Sequence, residues 1–353
     1  MLCWLPFIFL LLAFSLSFFP KYKSIYNLIA RIGIIAAVLI VVDNNYGTDI
    51  EAYKNMYNIV NTERHNLIGL EIGYKYSMIT FKYLFFLDFP YFMFFITSFS
   101  IISVKFIVNK YSANIILSIL IFYSFYYFLY TASALRQCIA LCFTFYSFRY
   151  IIENKKKQFY TCVFLAFLFH YSALLFAPAY YVSHKINLSK KKAIAIVLLF
   201  IPFMQVDLTQ YLFSIFSSIN GMDKYISLYF DEDSPFYEKV SFGVGVILKV
   251  LFFILYAFSY NKQDKIQRVL FNLYLFYLLL YFPLSSVAII SSRGLDYYKI
   301  FDCLLLPYLL KNQRTESVKL FSYILILSYL MFSLYSTTAN YTNFPSLLSK
   351  LLS

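Results

Sequence analysis

The chain has 353 residues, of which 61% are hydrophobic and 13% are charged, and its mean hydropathy is +0.68. Because soluble domains carry about 25% charged residues, this composition excludes a mainly soluble protein and indicates a polytopic membrane protein. The net charge of +13 does not point to nucleic-acid binding, since the basic residues are spread through short polar connections instead of forming one basic patch. The five cysteines lie in apolar surroundings, and we expect them to be packing residues.

Apolar runs of nearly membrane-spanning length follow one another along the whole chain. A membrane-crossing helix needs roughly 20 mostly apolar residues. Runs of about this length occupy residues 2–19, 25–42, 91–108, 241–260, 269–290 and 317–338. Slightly shorter runs occupy residues 115–131, 137–152, 193–207 and 297–310. We therefore predict an all-α polytopic membrane protein that forms a single integral membrane domain over residues 1–353.

The basic residues of the polar connections predict on which side of the membrane each connection lies. By the positive-inside rule, the inner connections are those rich in lysine and arginine, at residues 21–23, 155–157, 190–192, 262–268 and 311–314. Two external loops then remain, at residues 43–90 and 208–240. Within the first loop, residues 71–87 are apolar but interrupted by lysines, so we expect an amphipathic helix at the outer surface rather than a span.

The stretch from residue 159 to residue 182 is flanked by lysines at both ends. A single crossing would leave one lysine cluster outside, so we predict two half-length helices that meet within the membrane near His170 and Tyr171. Non-helical backbone at that depth is tolerated only against protein or a wet cavity. His170 is therefore expected to line a cavity.

Asp49 belongs to the stretch Thr48-Asp49-Ile50-Glu51, which follows the second predicted span. Thr48 and Glu51 have the spacing of a capping box, so one interpretation makes Asp49 a first-turn carboxylate that the helix dipole stabilises. The other interpretation makes Asp49 an exposed general base at the membrane surface. The residues alone leave both open.

Two arginines, Arg136 and Arg293, stand at the outer ends of apolar spans. An ionisable group at that depth suggests function, and a planar guanidinium suits bidentate phosphate binding. The structural alternatives are that Arg136 extends to lipid headgroups and that Arg293 pairs with Asp296 three residues later. Two outer cations together would suit a pyrophosphate better than either one alone.

The sequence also leaves two interpretations open for each of three further polar features. His170 is either a hydrogen-bonded core histidine or a catalytic one. Lys249 lies midway along a predicted span, where cavity lining and extension toward the interface are both open. Asp231, Glu232 and Asp233 could bind a divalent ion, although a charge run in a loop is usually solvated.

Four short motifs follow one another along the chain. They are Gly47-Thr48-Asp49 with Tyr53, Glu71-Ile72-Gly73-Tyr74, Leu135-Arg136-Gln137 with Ala140, and Phe169-His170-Tyr171-Ser172-Ala173-Leu174 with Pro178. Taken in order, these motifs resemble the EpsG-type family of bacterial exopolysaccharide and O-antigen repeat-unit polymerases, which are Wzy-like. The resemblance covers residues 47–181 and is loose beyond residue 193. Arg293 falls where this family tends to carry a late arginine.

The resemblance implies a GT-C-like glycosyltransferase architecture with about 10–12 transmembrane helices. Two of these helices would be half-length, and amphipathic helices would lie outside. It also implies a multi-pass protein of the bacterial cytoplasmic (inner) membrane whose active site faces the periplasm or outside. The implied substrates are undecaprenyl-pyrophosphate-linked oligosaccharides. Membrane lipids and a chain-length regulator protein are the other expected partners, and we expect no cofactor and no metal.

The implied reaction joins two lipid-linked oligosaccharides and releases one lipid pyrophosphate. Arg136 and Arg293 would bind the pyrophosphate. Asp49 would act as general base, with Glu71 as the alternative base, and His170 would orient or protonate the leaving group. The expected supporting residues are Gln137, Tyr53 and Tyr74. Alternatives are a glycan ligase and a flippase or transporter of lipid-linked glycan, although the paired halves usual in transporters are not evident in the sequence.

Overall fold

The computed structural model describes residues 3–42, 49–60, 70–208, 211 and 239–339. Every regular element among these residues is helical, so the all-α prediction is confirmed for this part of the chain. The result is physically expected, because a backbone in lipid must satisfy its own hydrogen bonds and a helix does so within one segment. The described chain divides into two compact units, unit 1 (Met1–Leu174 with Asp302–Ser353) and unit 2 (Leu175–Phe301). The single membrane domain over residues 1–353 stays a prediction.

The α-helices are named here in chain order, and the first eight and the last two belong to unit 1. They are α1 (Trp4–Leu16), α2 (Lys23–Val42), α3 (Ile50–Ile59), α4 (Ile72–Ile79), α5 (Phe89–Tyr111), α6 (Ile115–Phe122), α7 (Leu135–Ile152), α8 (Lys156–Phe169), α9 (Ala179–Lys185), α10 (Lys190–Phe200), α11 (Val244–Ser259), α12 (Lys265–Tyr281), α13 (Asp296–Lys299), α14 (Asp302–Lys311) and α15 (Glu316–Ala339). Helix α6 continues through π-type turns to Ser133.

Within the residues that the structure describes, four helical segments are long and apolar enough to cross a membrane. They are Pro20–Val42, Phe89–Tyr111, Ile115–Ser133 and Glu316–Ala339. The apolar helices α1 and α11 are shorter. Each of these six segments overlaps one of the apolar runs predicted from the sequence. Several helices of a membrane protein are therefore present, and the larger number of about 10–12 spans stays a prediction.

The interior of unit 1 is built around the helical segment Ile115–Ser133, which begins with α6 and is almost wholly buried. Helix α6 packs against α1 and α14. The Tyr123 hydroxyl donates to the Cys3 carbonyl oxygen at 2.6 Å, and the Ser118 hydroxyl donates to the Cys303 carbonyl oxygen. All five cysteines are buried and no disulfide joins them, so their prediction as packing residues is confirmed.

Helices α7 and α8 form an antiparallel hairpin, which brings the start of α7 and the end of α8 to the same end of unit 1. The connection is tight because Asn154 adopts a left-handed conformation (φ 56°), which asparagine tolerates better than most residues. The Lys155 amide then donates to the Tyr150 carbonyl oxygen at 2.8 Å, satisfying an orphan carbonyl of α7. The hairpin positions Arg136 and His170, because Arg136 opens α7 and His170 follows α8.

The predicted break within residues 159–182 is confirmed. Helix α8 ends at Phe169, and His170 is extended (φ −156°, ψ 120°). A 3-10 turn, Tyr171–Phe176, leads toward α9. The depth of this break in a membrane stays a prediction.

Three apolar runs predicted as continuous helices are interrupted. The run 193–207 ends as α-helix at Phe200 and continues as a 3-10 turn, Ile201–Gln205. The run 269–290 ends as α-helix at Tyr281, because Pro283 cannot continue the hydrogen-bond ladder and a 3-10 turn, Pro283–Ser286, follows. The run 297–310 is divided between α13 and α14. The break after Tyr281 has a clear sequence signal in Pro283.

Unit 2 also shows how Lys249 is accommodated. Its ammonium group donates to the Gly245 carbonyl oxygen at 3.2 Å and lies 4.8 Å from the centre of the Tyr281 ring. The side chain therefore runs back toward the start of α11, as a lysine extending toward an interface does. Of the two interpretations that the sequence left open, this geometry favours extension.

Candidate active site in unit 1

Helix α4 continues into a π-type turn, Thr80–Leu84, and Lys82 of this turn joins it to α3. The Lys82 ammonium donates to the Tyr57 carbonyl oxygen at 3.1 Å and to the Asn58 carbonyl oxygen at 2.5 Å. The Tyr83 hydroxyl donates to the Val60 carbonyl oxygen at 3.0 Å. These donors satisfy carbonyls at the end of α3 that have no partner within the helix. Lys82 thus holds α3, which carries Tyr53, in place.

Helix α4 approaches the end of α8 through Gly73. A β-carbon at this position would lie 2.8 Å from the carbonyl oxygen of Leu168 in α8, closer than real β-carbons approach other atoms. Only glycine permits this contact between the two backbones. The contact brings Glu71, which precedes α4, next to His170, which follows α8.

Arg136 and Glu71 form an ion pair at this junction. The distance from Arg136 Nη1 to Glu71 Oε2 is 2.7 Å, and only 2% of the Glu71 side chain is exposed, against 28% for Arg136. The second carboxylate oxygen, Oε1, lies 3.7 Å from His170 Nδ1. Glu71 therefore faces two basic groups at once. Burial strengthens these interactions because water screens them little.

Two tyrosines lie against this pair. Arg136 Nε donates to the Tyr53 hydroxyl at 3.5 Å, and the rings of Tyr53 and Tyr74 meet edge to face at 5.7 Å between centres. The Tyr74 hydroxyl is buried and has no hydrogen-bond partner among the described residues. Burial raises the pKa of the Tyr53 hydroxyl above its ordinary value. Arg136 opposes that rise in pKa, while the carboxylates of Asp49 and Glu71 add to it.

Asp49 immediately precedes α3 and is partly exposed. Its side chain makes no capping hydrogen bond to the described helix, so α3 does not use this carboxylate as its cap. Its effect on Tyr53 places it within electrostatic reach of the Tyr53 hydroxyl. Thr48, the residue expected to open the capping box, lies outside the described residues.

Six of the predicted site residues are brought together in unit 1. They are Asp49, Tyr53, Glu71, Tyr74, Arg136 and His170. Gln137, the next residue of α7, is buried. Arg293 belongs to unit 2, where it is partly buried in the π-type turn Ile290–Gly294. The acidic run Asp231–Asp233 lies outside the described residues.

Ser172 is a polar neighbour of this cluster to which the sequence analysis gave no role. Its amide nitrogen lies 3.4 Å from His170 Nδ1 and its hydroxyl oxygen lies 3.3 Å from the same nitrogen. The sequence signal for this contact was that Ser172 follows His170 by two residues in a predicted turn. Polar side chains in turns often contact groups two residues away.

The arrangement is suited to holding an anion rather than a metal. The buried Glu71 carboxylate fixes the Arg136 guanidinium in one orientation, while part of the guanidinium side chain stays exposed. A fixed, planar cation of this kind matches phosphate and carboxylate oxygens. Within the ranges that the structure describes, no group of three or more His, Cys, Asp or Glu side chains could hold a metal ion.

These features define a helical membrane protein in which an arginine and a histidine face one buried glutamate. The chain matches the EpsG family over residues 26–347, nearly its whole length, and it belongs to that family. The EpsG family is polysaccharide polymerase-like. No curated protein and no solved structure matches the chain significantly.

Proposed function

We propose that this protein is a membrane glycosyltransferase that polymerises polysaccharide repeat units, of O-antigen or exopolysaccharide type, at the external face of the bacterial cytoplasmic membrane. Its substrates are undecaprenyl-pyrophosphate-linked oligosaccharides. A hydroxyl of one unit attacks the sugar that carries the lipid pyrophosphate on the other, and the pyrophosphate leaves. The observation that carries this proposal is the ion pair of Arg136 with the buried Glu71 in a chain of the EpsG family.

Arg136 is the proposed contact for the pyrophosphate. Negative charge grows on the leaving diphosphate as the glycosidic bond breaks, and a cation already fixed in place stabilises that charge without reorganising. Glu71 supplies the fixing contact at 2.7 Å. Arg293 is the second proposed cation on sequence grounds, and a variant of Arg293 tests it independently.

Asp49 is the better proposal for the general base. Glu71 is buried and already engaged with Arg136, so a proton taken up there would weaken the ion pair. Asp49 is partly exposed and its side chain does not cap α3. A carboxylate in that position can accept the proton of an attacking hydroxyl, a contribution of about 10²–10⁴-fold. Its matched control is Glu51, which is exposed in the first turn of the same helix.

The length of the product tests this function. Purified protein is mixed with a defined undecaprenyl-pyrophosphate-linked repeat unit, with and without a chelator, and the glycans are separated by size. A polymerase gives a ladder of repeat lengths. A flippase or transporter leaves the substrate length unchanged, and a ligase only adds finished polymer to another acceptor. Either of these outcomes would overturn the proposal.

Asp49→Asn and Glu51→Gln are compared in the same assay. We expect Asp49→Asn to lower the rate of chain growth by about 10²-fold or more, because the amide cannot accept the proton. Glu51→Gln should retain the wild-type rate. A wild-type rate for Asp49→Asn would place the base elsewhere.

A further inference from the structure

His170 lies in a tight turn that determines which groups its Nδ1 atom contacts. Its own amide donates to the Ala166 carbonyl oxygen at 2.9 Å, which closes the last turn of α8. Its carbonyl oxygen accepts from the Ala173 amide at 3.0 Å. Inside this turn the Ser172 amide and hydroxyl both lie within hydrogen-bond distance of Nδ1. The backbone therefore fixes the ring relative to Ser172.

A backbone N–H can only donate a hydrogen bond. When the Ser172 amide points at Nδ1, that nitrogen must present its lone pair, and in a neutral imidazole the proton is then on Nε2. The hydroxyl of Ser172 can donate to the same lone pair. The hydrogen bond made by one ring nitrogen thus sets the state of the other.

Glu71 acts in the opposite sense. Its Oε1 atom lies 3.7 Å from Nδ1, and a carboxylate there favours a proton on that nitrogen. The same carboxylate is already paired with Arg136 through Oε2, which reduces the charge it offers to His170. Ser172 therefore favours an unprotonated Nδ1, whereas Glu71 favours a protonated one. Because the Arg136 ion pair weakens the effect of Glu71, the unprotonated Nδ1 is favoured.

We propose that Ser172 is a positioning residue that holds His170 as the neutral tautomer protonated on Nε2. Its consequence for catalysis rests on the proposed polymerase function. A neutral imidazole with a fixed Nε2–H is a hydrogen-bond donor rather than a proton source at ordinary pH. His170 then stabilises the departing diphosphate by donating a hydrogen bond, and no proton moves from the ring. His170 was predicted either to orient or to protonate the leaving group, and this tautomer is compatible with orienting it.

The tautomer can be read directly from nitrogen NMR of protein labelled with ¹⁵N-histidine. The chain has three histidines, so the signals of His170 are assigned by comparison with His170→Gln. Spectra are recorded near pH 8, where an ordinary histidine with a pKa of about 6.5 is neutral. We expect wild-type His170 to carry its proton on Nε2. A proton on Nδ1 in the wild type would overturn the proposal.

Ser172→Thr and Ser172→Val form a matched pair, because threonine and valine have nearly the same shape and only threonine has a hydroxyl. Ser172→Thr should keep the wild-type tautomer, while Ser172→Val and Ser172→Ala should show a measurable share of the Nδ1-protonated form. In the polymerisation assay the variants that lack the hydroxyl should lose up to about tenfold in kcat, the effect of one hydrogen bond. Their KM should change little, since the contact strengthens only as the diphosphate leaves.

The NMR measurement of the tautomer and the polymerisation assay test separate claims. If the tautomer of Ser172→Val equals that of Ser172→Thr, Ser172 does not position His170 through its hydroxyl, whatever the activity. If the tautomers behave as expected but the wild type makes no polymer, the proposed function is wrong while the positioning role stands. An unchanged thermal unfolding transition shows that a variant is folded. Should Ser172→Ala unfold, the Ser172→Thr and Ser172→Val comparison decides the question.

Discussion

Removing the charge of Glu71 should destabilise unit 1 through its ion pair with Arg136. At an effective dielectric constant of about 20, two unit charges at the pair's 2.7 Å separation attract by about 6 kcal/mol. Desolvation of the buried carboxylate offsets much of this attraction. Leaving one buried partner uncompensated generally costs about 3–5 kcal/mol. Because 28% of the Arg136 side chain remains exposed, we expect Glu71→Gln to lower the free energy of unfolding by about 3 kcal/mol, at the low end of this range.

A double-mutant cycle separates the ion pair from other effects of the substitutions. Glu71→Gln, Arg136→Gln and the double variant are unfolded by titrating detergent-solubilised protein with SDS. The double variant should be more stable than the sum of the single effects predicts, by at least about 1 kcal/mol. The partly exposed pair of Arg149 with Glu153 is the control and should give a smaller coupling, because neither partner is as deeply buried as Glu71. Additive effects at Glu71 and Arg136 would refute the reasoning.

Three further predictions concern stability. Gly73→Ala should cost about 1–3 kcal/mol, because the added methyl group meets a carbonyl oxygen of α8 at 2.8 Å. Gly243→Ala should cost less in the same thermal unfolding measurement, because its methyl group meets no atom within 4 Å and only a glycine N-cap of α11 is lost. The pKa of Glu153 is lowered from 4.5 to about 2, chiefly by a hydrogen bond from Lys155, so its contribution to stability is present above pH 4.5 and is lost as the pH falls toward 2. Glu153→Gln should remove that part of the pH dependence, and a melting temperature that falls equally in wild type and variant would contradict it. Lys82→Met should speed hydrogen exchange in the last turn of α3, which loses two capping contacts, and unchanged exchange there would show that the cap is not needed.

The helical segments could be predicted from hydropathy because a backbone in lipid has few alternatives to a helix. The break at His170 could also be predicted, since lysines flank residues 159–182 on both sides and only an interruption reconciles them. The break after Tyr281 was missed although Pro283 signals it, because the apolar run continues through the proline. The interruption between α13 and α14 has no comparable proline or glycine signal.

The candidate site was predictable as a set of residue types but not as a geometry. Glu71 and Arg136 are 65 residues apart, and the sequence does not say which of several outer acids and bases meet. Their pairing depends on the close approach of α4 to α8 at Gly73, a packing detail that no local pattern encodes. Ser172 was missed for a related reason, because its contact with His170 arises from the turn geometry that follows α8.

The most direct test of the proposed mechanism compares two arginines at opposite ends of the same helix. Arg136 and Arg149 both belong to α7, but Arg136 pairs with the buried Glu71 and Arg149 pairs with the partly exposed Glu153. Purified Arg136→Ala and Arg149→Ala are given the same lipid-linked repeat unit, and the rate of ladder formation is measured. We expect Arg149→Ala to polymerise like the wild type and Arg136→Ala to lose about 10²-fold or more. Polymer of normal length formed at a near-normal rate by Arg136→Ala would contradict the account.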